Sequence, residues 1–80
     1  MIDPDLHLEV QESKRRIIVT MPTTRFSQTF TVPEQTGVFA SFDFVRDDPD
    51  AAITCKEFSR RAEAKARSRA LELGWFKYLR

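Results

Sequence analysis

The hydrophobic period of this chain changes once, near residue 50, and that change limits the fold more than any other feature. Before it, apolar side chains recur at every second position; after it, they recur at every third or fourth. Period two describes half-buried strands and a period near 3.6 describes an amphipathic helix. A run of strands followed by one helix implies a helix packed on an antiparallel sheet. The predicted fold class is therefore α+β: a four-stranded antiparallel sheet followed by one long C-terminal helix packed on it, ββββα. The 80 residues make one small domain, 1–80.

The strand half reads as follows. Leu6, Leu8 and Val10 alternate with His7, Glu9 and Gln11, and the polar Glu12-Ser13-Lys14 turns the chain. Residues 15–21 are rich in β-branched side chains and form a second strand, ended by Pro22. Residues 25–32 alternate again, with Phe26, Phe30 and Val32 on one side and Gln28 interrupting them. Pro33-Glu34-Gln35-Thr36-Gly37 is the clearest turn. Residues 38–46 read as the strongest strand, with Val38, Ala40, Phe42 and Phe44 on one face and Phe39, Ser41, Asp43 and Val45 on the other.

Two helix starts compete. Asp48 is a candidate cap with Pro49 at the first helical position, and Thr54-x-x-Glu57 matches a capping box. The reading favours a start near residue 50. Cys55, Phe58, Ala62, Ala66, Ala70 and Leu73 share one stripe, and its small members let the helix lie close to the sheet. Glu57 with Arg61, and Glu63 with Arg67, form i,i+4 pairs. Gly74 is a left-handed terminator, and Trp75 can fold back on Ala70. Residues 75–80 alternate weakly, compatible with a short fifth strand.

Charge is split along the chain. Residues 1–54 carry five basic and nine acidic side chains, a balance of −4; residues 55–80 carry eight and three, a balance of +5. On the helix, Arg61, Lys65 and Arg69 form one basic stripe, and Lys56, Arg60 and Arg67 flank the other side. Three occupants fit that surface: nucleic-acid phosphates, an acidic protein surface, or only water. Trp75-Phe76-Lys77-Tyr78-Leu79-Arg80 interleaves rings with cations. That mixture suits base stacking on Trp75 or Tyr78, and equally the closing of a core. Candidate contacts to nucleic acid or an acidic partner are thus Arg60, Arg61, Lys65, Arg67, Arg69, Trp75 and Tyr78.

Phe39 and Val45 fall on the less apolar side of their strand, and Ile53, Leu71 and Ala64 fall opposite the helix core stripe. Phe39, Val45, Ile53 and Leu71 are the candidate protein-interface residues, for a partner or a second copy of the chain.

Chemistry by the chain itself has little support. His7 is the only histidine and Cys55 the only cysteine, which leaves no intrachain disulfide and a poor zinc ligand set. His7 reads as an exposed strand residue and Cys55 as a core thiol. The acidic Asp47-Asp48-Pro49-Asp50 lacks the ligand pattern of a calcium loop and suits a helix start. No phosphate loop, dinucleotide fingerprint or nucleophile elbow is present. The expectation is a non-catalytic module with no cofactor, metal or small-molecule substrate. The scarcity of cysteine and the lack of a 20-residue apolar span point to the cytoplasm and away from membranes.

The leading expectation is a module that binds a protein partner, with homodimerisation as one form of it. A nucleic-acid binder using the basic helix is the alternative. The third reading is a mobile-element-encoded inhibitor or subunit of a nucleic-acid-handling complex, which would present Asp43, Asp47, Asp48 and Asp50.

Overall fold

The computed structural model describes residues 6–41, 45–46 and 48–76. It is a two-layer α+β structure: strands β1 (His7–Gln11), β2 (Arg16–Thr20), β3 (Ser27–Thr31) and β4 (Ala40–Ser41), then helix α1 (Cys55–Glu72). The sheet is an antiparallel meander in the order β1-β2-β3-β4.

The register explains which face is buried. Leu8 stands opposite Val19 and Val10 opposite Ile17; Ile17 faces Phe30 and Val19 faces Gln28. That face meets α1. The other carries His7, Glu9, Gln11, Arg16, Thr20, Ser27, Thr29 and Thr31, with Ile18 among them. One sheet face is therefore mainly polar, and no helix among the described residues packs on it, the usual arrangement for an antiparallel sheet under a single helix.

The core joins Ile17, Val19, Phe26, Phe30 and Val32 of the sheet layer to Phe58, Ala62, Ala66 and Ala70 of α1. All four helix residues are completely buried. The alanines bring the helix close to the sheet, and large side chains from the sheet side fill the space. Phe26 and Phe58 stack with ring centroids 4.9 Å apart. Cys55 and Leu73, the ends of the stripe, are partly buried against this core.

Two tight turns carry positive φ on residues that rarely adopt it. Between β1 and β2, a single 3-10 turn (Glu12–Lys14) ends at Arg15 with φ 56°. Arg15 thus belongs to the turn, and β2 begins one residue later than the β-branched run suggests. Between β2 and β3, the Thr24 amide donates to the Met21 carbonyl at 3.2 Å, around Pro22 and a Thr23 of φ 68°. Proline then a positive-φ residue is the type II turn pattern.

The helix starts at Cys55, not near residue 50. Thr54 is the cap, its side chain accepting from the Glu57 amide at 3.1 Å. Asp48 serves a different purpose. It is buried, and its carboxylate accepts from the Arg25 amide at 2.8 Å and the Asp50 amide at 3.1 Å. The carboxylate thus ties the β2–β3 turn to the segment before α1, and leaves the helix to Thr54. At the other end, Trp75 N–H donates to the Ala70 carbonyl and Gly74 N–H to the Leu71 carbonyl, with Gly74 at φ 72°. That is the expected Schellman ending.

The expected long fourth strand is corrected. Among the described residues it pairs only over Ala40–Ser41, and its faces are reversed. Phe39 packs on the core, while Val38 and Ala40 are exposed. Phe42, Asp43 and Phe44 lie outside the described residues. The reversal has a physical cause: Phe39 finds ring partners in Phe30 at 5.2 Å and Phe76 at 6.1 Å. Trp75 and Phe76 are not in a strand, and the remainder of the suggested fifth strand is outside the described residues.

Candidate functional site

The outer face of α1 is the surface to which most of the predicted contact residues belong. The helix is an ion-paired one. Glu57 accepts from Arg60 Nη2 at 2.6 Å and Arg61 Nε at 2.8 Å, Glu63 from Arg67 Nη2 at 3.0 Å, and Glu72 from Arg69 Nη1 at 2.9 Å. The Arg60 hydrogen bond, then that of Arg61, holds the Glu57 carboxyl below its ordinary 4.5. Six cations against three glutamates leave α1 with a formal charge of +3. Arg60 and Arg67 are exposed, whereas Arg61, Lys65 and Arg69 are half-buried.

Arg67 has a second role. Its guanidinium lies over the Phe39 ring, 4.6 Å from the centroid. This contact links α1 to the segment before β4. The large exposed hydrophobics among the described residues are Val38, 58% exposed, and Leu71, 48% exposed. Val38 adjoins Phe39 in the chain, and Leu71 is one helical turn beyond Arg67. Leu71 therefore lies beside Arg67 on the helix, whereas Val38 is exposed next to a Phe39 that packs on the core. An open groove runs along the same helix face, lined by Arg60, Glu63, Ala64, Arg67, Ser68 and Leu71.

The other predicted residues separate from this surface. Trp75 is buried at 7% exposure, with the Arg15 guanidinium 5.2 Å from its ring, so it is a core residue and no open stacking platform. Val45 and Ile53 are half-buried against the core. Their apparent placement on an outer face assumed a long fourth strand and a helix start near residue 50. Phe39 is half-buried at the edge of the patch. Tyr78 is outside the described residues. Of the four acidic candidates, Asp48 has its carboxylate committed internally, Asp50 is exposed, and Asp43 and Asp47 are outside the described residues.

Sequence reasoning missed Val38 and Ser68. Ser68 had an available signal, since Ala64, Ser68 and Leu71 follow a 4-then-3 spacing on the side opposite the core stripe. A second cleft, at the end of the sheet, is lined by Ser13, Lys14, Arg15, Arg16, Thr31, Pro33, Glu34 and Gln35. Arg15 directs its guanidinium to the carbonyls of Val32 at 2.9 Å and Trp75 at 2.7 Å, and Glu34 offsets the positive charge there. No described helix is long and apolar enough to cross a membrane. Comparison with protein families, curated proteins and solved structures finds no match to this chain.

Proposed function

We propose that this protein is a small non-catalytic binding module that engages a protein partner through the outer face of α1 and the adjoining Val38–Phe39 corner. The observation that carries the reading is the exposed Leu71 in one groove with Arg67, whose guanidinium packs on the Phe39 ring. Arginine is enriched at protein-interface hot spots, and an exposed apolar side chain beside it adds area that association removes from water. Nucleic acid is the competing occupant, favoured by the +3 helix. One feature weighs toward protein: Trp75 is buried and offers no ring for base stacking.

The test is site-specific photocrosslinking in the native cell, with a benzophenone amino acid at Leu71 and, as control, at Glu9 on the open sheet face. The expected result is a discrete, protease-sensitive adduct from position 71 that position 9 does not give. No adduct, equal adducts from both positions, or a nuclease-sensitive adduct overturns the reading.

A further inference from the structure

We infer, resting on that reading, that the occupant of the α1 groove is an acidic amphipathic helix of another protein rather than a second copy of this chain. The groove follows a helical seam. Ala64, Ser68 and Leu71, all exposed and all lining it, are spaced 4 and 3 along the outward side of α1, the spacing by which a partner helix meets its neighbour. Leu71 supplies the apolar anchor, and Ala64 and Ser68 leave room for a close backbone. An amphipathic helix presents anchors at the same 3-and-4 spacing.

Charge selects the occupant. The rim of the groove is Arg60 and Arg67, with Glu63 as the opposing charge. The glutamates that now hold these arginines form solvent-exposed pairs, which are weak. Carboxylates of an incoming helix can replace them at little cost. A second copy would instead bring one +3 helix against another, and like charge across an interface opposes association. Area sets the strength of the complex. An 18-residue helix is about 27 Å long, and a strip about 10 Å wide along it covers about 270 Å². A stable protein–protein interface buries about 800 Å² per partner. The groove suits a weak, reversible complex.

Two synthetic peptides about three heptads long test this. Both carry Leu at the a and d positions; one has Glu and its twin has Lys at the flanking e and g positions. Binding is followed by amide chemical shifts of the intact protein, whose dispersion also reports folding. The Glu peptide is expected to move the amides of residues 60–71 and to bind at least about tenfold more tightly than the Lys twin. Leu71→Arg should weaken it about tenfold, and the double reversal Arg60→Glu/Arg67→Glu should invert the preference. Should that double variant lose its shift dispersion, Arg60→Gln with Arg67 intact must still reduce the preference for Glu.

Equal binding, preference for the Lys twin, no binding by either, or a dimer in light scattering overturns the inference. Binding of the Lys twin at the same amides defeats the acidic occupant and leaves the helix-face reading standing. The crosslink at position 71 judges that reading separately.

Discussion

Arg15 and Trp75 lie sixty residues apart in the chain and hold each other in place: the Arg15 Nη2 donates to the Trp75 carbonyl at 2.7 Å, and the guanidinium stands over the Trp75 ring. The same side chain donates to the Val32 carbonyl through Nε, and the Arg15 carbonyl accepts from the Val32 amide and the Thr31 hydroxyl. One residue in a left-handed turn thus joins the first hairpin, the end of β3 and the end of α1. A positive φ on a non-glycine residue persists when its surroundings fix it this firmly.

Arg15→Met keeps the aliphatic stem and removes the donors. The expected loss is about 2 kcal/mol, the usual magnitude for a charged hydrogen bond. Trp75 is the only tryptophan, so its fluorescence through urea unfolding checks this directly. A midpoint equal to wild type would show that the clamp contributes nothing to stability.

Thr23 sits at φ 68° in the Met21–Thr24 turn. A β-branched residue there is strained, and asparagine tolerates the left-handed region much better. Thr23→Asn should raise stability by about 0.5–1 kcal/mol, read from thermal unfolding. Destabilisation would mean that the exposed Thr23 side chain supports the turn in another way.

The helix was the most legible element because its stripe, terminator and i,i+4 pairs agree, although its start stood open between Asp48 and Thr54. Ala62, Ala66 and Ala70 could be placed in the core from spacing alone. The fourth strand was not legible, for a definable reason. Residues 38–45 carry large apolar side chains in both alternating sets, so period two favours the Val38 set only by composition, and tertiary ring partners decide for Phe39. Asp48 misled in a similar way. Local chemistry allowed a helix cap, while the fold used its carboxylate for the amide of Arg25, twenty-three residues earlier. Gln28 looked like an interruption of the apolar face. It is buried and satisfied, donating to the Ser41 hydroxyl at 2.8 Å and accepting from Ser59 at 2.9 Å. The candidate surface was half legible: its charges are written in the helix, but Val38 becomes visible only once the strand faces are known.

Glu57 gives a pH signature. The Arg60 hydrogen bond, then that of Arg61, lowers its carboxyl below the ordinary 4.5. A folded-state pKa below the unfolded one adds stability that is present above the unfolded value and is lost as pH falls through the folded one. The effect is confined to acid conditions below about pH 4.5 and is weak because the pair is exposed. NMR titration should place the Glu57 midpoint below 4.5 in wild type and move it up in Arg60→Gln. An unmoved midpoint would assign the shift to Arg61 instead.

Ala66 tests the packing on which the site depends. It is completely buried where α1 meets the sheet, and no larger side chain fits without moving the helix. Ala66→Leu should destabilise by roughly 1–3 kcal/mol through overpacking. Ala64, two residues away, is exposed on the outward face, so Ala64→Leu should stay within about 0.5 kcal/mol of wild type. The two variants add the same atoms to the same helix, and any difference in their denaturation midpoints reports only which side faces the sheet. Equal midpoints would mean that α1 is rotated, and that Ala64, Ser68 and Leu71 do not form its outer surface.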